Sequence, residues 1–173
     1  MENKKQYFFA RILADTNLYL VELGNNEFHY GAEILINTEF GKDIAVISSF
    51  LLDKKPTQKA YDSRKMLGFV TEKDKEILAI NSKRSQVLKS TISEAIKRRE
   101  LKMSITHILV PLYGNTVVVY YVAKERVDFR QLLVELKSNL KEKVIMRQIS
   151  NKERSNSFAI DCRIPFEKNT WAR

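Results

Sequence analysis

The stretch ITHILVPLYGNTVVVYYVA, residues 105–123, continued by KERVDFRQLLVELKSNLKEKVIMRQI, residues 124–149, decides the fold. Ile105 to Leu112 and Thr116 to Ala123 are rich in β-branched and aromatic residues. Gly114-Asn115 joins them, a pair that tolerates the positive φ of a short hairpin turn. The spacing then predicts a helix from about Phe129 to Lys141, with Leu132, Leu133, Leu136 and Leu140 on its apolar face. Asp128 is read as its N-cap, with Gln131 as the reciprocal member of a capping-box-like pair. Val144 to Ile149 is the last clear strand.

Upstream, a long helix is expected at about Glu72 to Leu101. Ile77, Ile80, Arg84, Leu88, Thr91, Ala95 and Ile96 fall near one stripe at helical spacing, interrupted by Arg84. Thr71 suits the helix start, since its hydroxyl can accept an orphan N–H while Asp74 sits at the positive end of the dipole. Lys97, Arg98, Arg99 and Lys102 occupy the other end, where the dipole favours cations. Helix, strand, strand, helix, strand describes an α-β-β-α-β unit, with helices packed on one face of a small sheet.

Residues 1–60 read differently. Tyr7 to Leu13, Leu18 to Leu23, Ala32 to Thr38 and Lys42 to Leu51 have strand composition, punctuated by Gly24-Asn25, Gly31 and Gly41. Such short connections favour antiparallel hairpins rolled into a small barrel. Residues 53–63, DKKPTQKAYDS, look like a link. The class is therefore α+β: a small antiparallel β-barrel-like part over 1–60 and a basic α+β part over 61–173. Beyond Ser150 the pattern fades, although Phe158, Ile160, Ile164 and Trp171 could dock on the second part.

With 173 residues and 44% hydrophobic content, the chain has material for a real core. No apolar run reaches the ~18 residues of a membrane span, and the start lacks a signal peptide's apolar stretch. One cysteine, Cys162, cannot form an internal disulfide, which favours a reducing compartment; a cytoplasmic protein is expected. The net charge of +9 is uneven: residues 1–63 hold 7 Lys/Arg against 9 Asp/Glu, net −2, and residues 64–173 hold 23 against 12, net +11. A surface this basic attracts polyanions whatever fold lies beneath it, though lysine can also serve solubility alone.

Nothing points to catalysis. The sequence has two histidines, His29 in a barrel strand and His107 in the hairpin, and neither lies in a recognisable motif. His107 alternates with core candidates and is read as a packed or edge residue, not a base. There is no GxxxxGK[ST] loop, GxGxxG turn or HExxH helix. Glu72/Asp74 and Asp43/Glu39 could bind a metal in principle, yet carboxylates near strand and helix starts are usually solvated or capping.

Arg126-Val127-Asp128-Phe129-Arg130, Leu132-Leu133, Lys143 and Met146-Arg147-Gln148-Ile149 together resemble the "RVDFR…LV…RIELRQIG" block of the polymerase-suppressor (PSP) C-terminal family. The likeness runs from Arg64 to Ile149. Phe69 to Asp74 is similar to the family's "ATEED" helix opening, Leu101-Lys102-Met103 to its "LxMK" segment, and Gly31 to Ile47 to its "GDxVxVETxxG" strand pair. Bacterial YaaT/RicT-like members run on into a cysteine-rich tail implicated in iron–sulfur ligation. Here Ser150 to Arg154 follows, and Cys162 alone cannot supply the thiolates a cluster needs; no cofactor is expected.

The resemblance implies a non-enzymatic protein of RNA processing or decay, one that binds RNA or assists a ribonuclease. For direct binding to RNA or single-stranded nucleic acid the candidates are Lys97, Arg98, Arg99, Lys102, Arg126, Arg130 and Arg147. Local ion pairs to Glu125, Glu135 or Asp128 are the rival role for Arg126, Arg130 and Arg147. Tyr113, Tyr120 and Tyr121 are the candidate stacking platforms, with at most one of the last two exposed. The alternative is a protein-interaction adaptor that recruits a nuclease through barrel and sheet edges, without touching nucleic acid.

Overall fold

The computed structural model describes residues 5–13, 18–53, 55–56 and 63–149. The expected Cys162 and the docking candidates Phe158, Ile160, Ile164 and Trp171 lie outside them. Strands β1 (Tyr7–Ile12), β2 (Leu18–Glu22), β3 (Glu33–Asn37), β4 (Lys42–Ile47) and β5 (Ser63–Phe69) form a closed barrel in the order β1-β2-β5-β3-β4. Helix α1 (Glu72–Arg98) follows. Then come β6 (Ser104–Leu109), β7 (Thr116–Val122), α2 (Arg130–Leu140) and β8 (Lys143–Gln148), the strands making a sheet in the order β6-β7-β8. The α+β class and the barrel followed by an α-β-β-α-β unit are as expected.

One barrel strand went unread. β5 starts where the sequence suggested a link passing into the second part, yet it pairs antiparallel with β3 and parallel with β2, closing the barrel. Its residues gave no alternation, because Met66 alone is buried and Arg64, Lys65 and Gly68 dilute any β signal. The barrel therefore extends past residue 60. Inside it, Phe8, Ala10, Val21, Ile34, Ile36, Ala45 and Ile47 pack from four strands, and β5 adds Met66.

Both helices cover one face of the three-stranded sheet. Leu88, Ile92, Ala95 and Ile96 of α1 and Leu132 and Leu136 of α2 pack on Ile108, Val117, Val119, Tyr121 and Val144. The buried stripe of α1 is thus not quite the expected one: Ile80 and Thr91 face solvent, and the fully buried Ile92 lies on the core side. Arg84, the interruption, is ion-paired with Glu142. Thr71 caps α1 as expected: it accepts from the Asp74 N–H, while its own N–H donates to the Asp74 carboxylate at 2.8 Å. The helix ends in a Schellman arrangement, with Glu100 left-handed at φ 52, Leu101 N–H donating to Ile96 C=O and Glu100 N–H to Lys97 C=O.

The two parts meet at the hairpin turn. Lys42 and Tyr113 exchange backbone hydrogen bonds, 2.8 Å from Lys42 N–H to Tyr113 C=O and 3.0 Å in return. The approach is so close that a Cβ on Gly41 would sit 2.2 Å from Tyr113 O, and one on Gly114 2.8 Å from Phe40 O. Only glycine fits at either place.

Candidate nucleic-acid interface

The end of α1 and the start of α2 bring most of the predicted cations together. The helices run antiparallel, as the pairing of Arg84 with Glu142 and of the later Arg99 with the earlier Glu135 shows. Arg99, at the α1 C-cap, donates from Nε and Nη2 to the same Glu135 oxygen at 2.9 and 2.6 Å, and from Nη1 to Gln131 Oε1 at 3.2 Å. Arg98 reaches the other Glu135 oxygen at 2.7 Å, with two thirds of its side chain still in water. This double arginine contact holds the Glu135 carboxyl below its ordinary range.

Arg99, Leu101, Asp128, Arg130, Gln131 and Leu132 line a cleft of about 240 Å³ at the start of α2. Here the expected cap is corrected. Asp128 precedes the N-cap position, which Phe129 holds without a side-chain capping bond. Asp128 accepts from the Arg130 N–H at 3.1 Å and grips the Arg130 guanidinium at 2.6 to 3.1 Å. Those bonds, with Arg126 nearby, lower its pKa to about 2. Gln131 serves Arg99 instead of closing a capping box.

The first turns of the two helices therefore differ. The first turn of α1 holds Glu72 and Asp74, whereas that of α2 holds no acid and begins with an arginine. Cations gathered at the positive end of a helix dipole oppose it electrostatically, and an anion there relieves both. Lys97 and Lys102 stand exposed beside this region and make no ion pair with a described residue.

Arg147 is elsewhere. It lies in β8 opposite Tyr120, its guanidinium 5.7 Å from that ring, on the sheet face away from the helices. The stacking platforms are also corrected. Tyr120 and Tyr121 do point to opposite faces, but both are buried, at 3% and 6% exposure. Tyr113 is partly exposed, and its hydroxyl is engaged by Asp74. His107 is packed as read, stacked on Tyr120 at 4.2 Å. Among the described residues no group of three or more His, Cys, Asp or Glu is placed to hold a metal ion, and no helix is long and apolar enough to cross a membrane.

A closed barrel clasped to a helix-covered sheet, with a group of cations where the end of α1 meets the start of α2, defines a two-part α+β protein. Residues 64–149 match the model of the PSP1 C-terminal conserved region, and the chain belongs to that family, which points to a regulatory protein. No curated protein and no solved structure matches it. The matched region carries 18 Lys/Arg against 9 Asp/Glu, so it alone accounts for a net +9.

Proposed function

We propose that this protein is a non-enzymatic, cytoplasmic regulator that binds RNA or single-stranded nucleic acid through the face formed by Lys97, Arg98, Arg99, Lys102, Arg126 and Arg130. The observation that carries the reading is the convergence of Arg99 and Arg130 on the cleft at an α2 start without acid in its first turn. Asp128 and Glu135 pair with the guanidinium groups without matching their number. Phosphates would be taken first by Arg98 and Arg130, whose side chains are 67% and 87% exposed. With Tyr120 and Tyr121 buried, recognition rests on the backbone and carries little base identity. A ribonuclease so assisted would receive RNA held by its phosphates.

Charge reversal of Arg98 and Arg130 tests this without dismantling the Arg99–Glu135 bond that joins the helices. The folded Arg98→Glu/Arg130→Glu protein should lose retention of labelled single-stranded RNA. Undiminished retention would refute the assigned face.

A further inference from the structure

The barrel carries large rings in water at the end of α1 away from the basic cleft. Tyr30 and Phe50, 61% and 77% exposed, stack with centroids 5.2 Å apart and planes at 21°. The adjacent His29 leans on Phe69, itself 37% exposed, at 5.6 Å, and its Nε2 lies 3.3 Å from the Glu27 carboxylate. Backbone bonds from Gly31 N–H to Ile47 C=O and from Val70 N–H to Glu33 C=O bring both pairs to one end of the barrel. None of these four rings belongs to the barrel core or its packed fringe. An exposed aromatic cluster of this kind marks a binding surface.

Charge decides the occupant. The Glu27 carboxylate beside the His29 ring is 85% exposed, whereas Glu72, at the adjoining start of α1, is held by Lys75 at 3.0 Å. The exposed Glu27 carboxylate repels phosphate and attracts guanidinium or ammonium groups, which the ring faces also favour. The 27 residues of α1 separate this surface from the basic cleft by roughly 40 Å at 1.5 Å per residue. We propose that the Tyr30–Phe50 and His29–Phe69 pairs, with Glu27, dock an arginine- or lysine-bearing segment of a partner protein, its cations over the rings and its aliphatic stems along them. The protein would then hold nucleic acid at one end of α1 and a basic protein segment at the other.

The test measures fluorescence anisotropy of three labelled probes on the full chain at physiological salt: a nine-residue peptide alternating arginine and leucine, its glutamate-for-arginine counterpart, and oligouridylate. The arginine peptide should bind saturably and the glutamate peptide should not. Tyr30→Ala/Phe50→Ala, a change of two exposed rings, should weaken the peptide about tenfold. Arg98→Glu/Arg130→Glu should leave the peptide untouched while abolishing oligouridylate binding. The proposal is overturned if the arginine peptide does not bind, if it binds the ring variant equally well, or if the ring variant loses oligouridylate instead. Because the two variants are read on separate probes, failure here leaves the phosphate-binding face unaffected.

Discussion

Tyr113 donates its phenolic hydrogen to Asp74 Oδ1 at 2.6 Å, tying the hairpin turn to the first turn of α1 at the point where Tyr113 also pairs with Lys42 of the barrel. One residue thus joins three elements. Asp74, 5% exposed, accepts from Thr71 and Tyr113, and these bonds lower its pKa below the ordinary 3.8. The same bond raises the pKa of Tyr113.

The pH dependence follows from the sign of the Asp74 shift. A depressed folded-state pKa contributes stability that is present above about pH 4 and is lost as pH falls through the lowered value. Asp74→Asn should therefore be less stable than wild type at pH 7 and should show a flatter acid limb. Tyr113→Phe should also be less stable than wild type at pH 7. Chemical denaturation between pH 2 and 7 measures both, and parallel acid limbs in wild type and Asp74→Asn would exclude this role.

The barrel clasp depends on close backbone approach. Gly41→Ala would place a methyl group 2.2 Å from Tyr113 O at a φ of +143, which no side-chain adjustment relieves. A loss of about 2 kcal/mol or more is expected. Thermal unfolding should show it, accompanied by faster amide exchange at Lys42 and Tyr113.

Two apolar positions on α1 differ sharply in the fold: Ile80, which the expected stripe included, and Ile92, which it left out. Ile92→Ala should cost about 2–4 kcal/mol, since the side chain is fully buried between the sheet and α2. Ile80→Ala should be close to neutral, its side chain being 64% exposed. Equal effects would mean that α1 packs on another face.

That contrast shows how far the sequence could be read. The pairing of β6 with β7, the Thr71 cap and the leucine face of α2 were legible because each rests on local spacing or local hydrogen bonding. The turn itself was not: residues 110–115 join the two strands, and neither Gly114 nor Asn115 has a positive φ. The exposed Ile80 was misplaced because a long helix drifts in phase, and only the sheet beneath it fixes which side is buried. β5 was missed because its pairing comes from β2 and β3, distant in the chain, while its own residues are mostly exposed. The grouping of Lys97, Arg98, Arg99 and Lys102 was visible as a run of cations. Its meeting with Arg130, and the separation of Arg147, needed the antiparallel helices and the alternation of β8. Asp128 takes the rival role named for Arg130, an ion pair to its guanidinium, while also accepting the Arg130 N–H from one place before the cap; spacing left that choice open.

Glu135 restrains two of the proposed phosphate ligands. Glu135→Gln should loosen Arg98 and Arg99 and lower stability slightly. It should also strengthen RNA binding and steepen the log–log salt slope by about 0.7 for each additional phosphate contacted. Weaker binding by the folded variant would show that Glu135 acts mainly to position the arginines.

The most direct test of the phosphate-binding face is the salt dependence of single-stranded RNA affinity for the nuclease-treated protein, set beside Arg98→Glu/Arg130→Glu. A log–log slope of about −3 or steeper is expected for contacts by four or more of the six assigned cations, with a marked flattening in the variant. No binding at low salt, or the same slope in both proteins, would contradict the assigned interface.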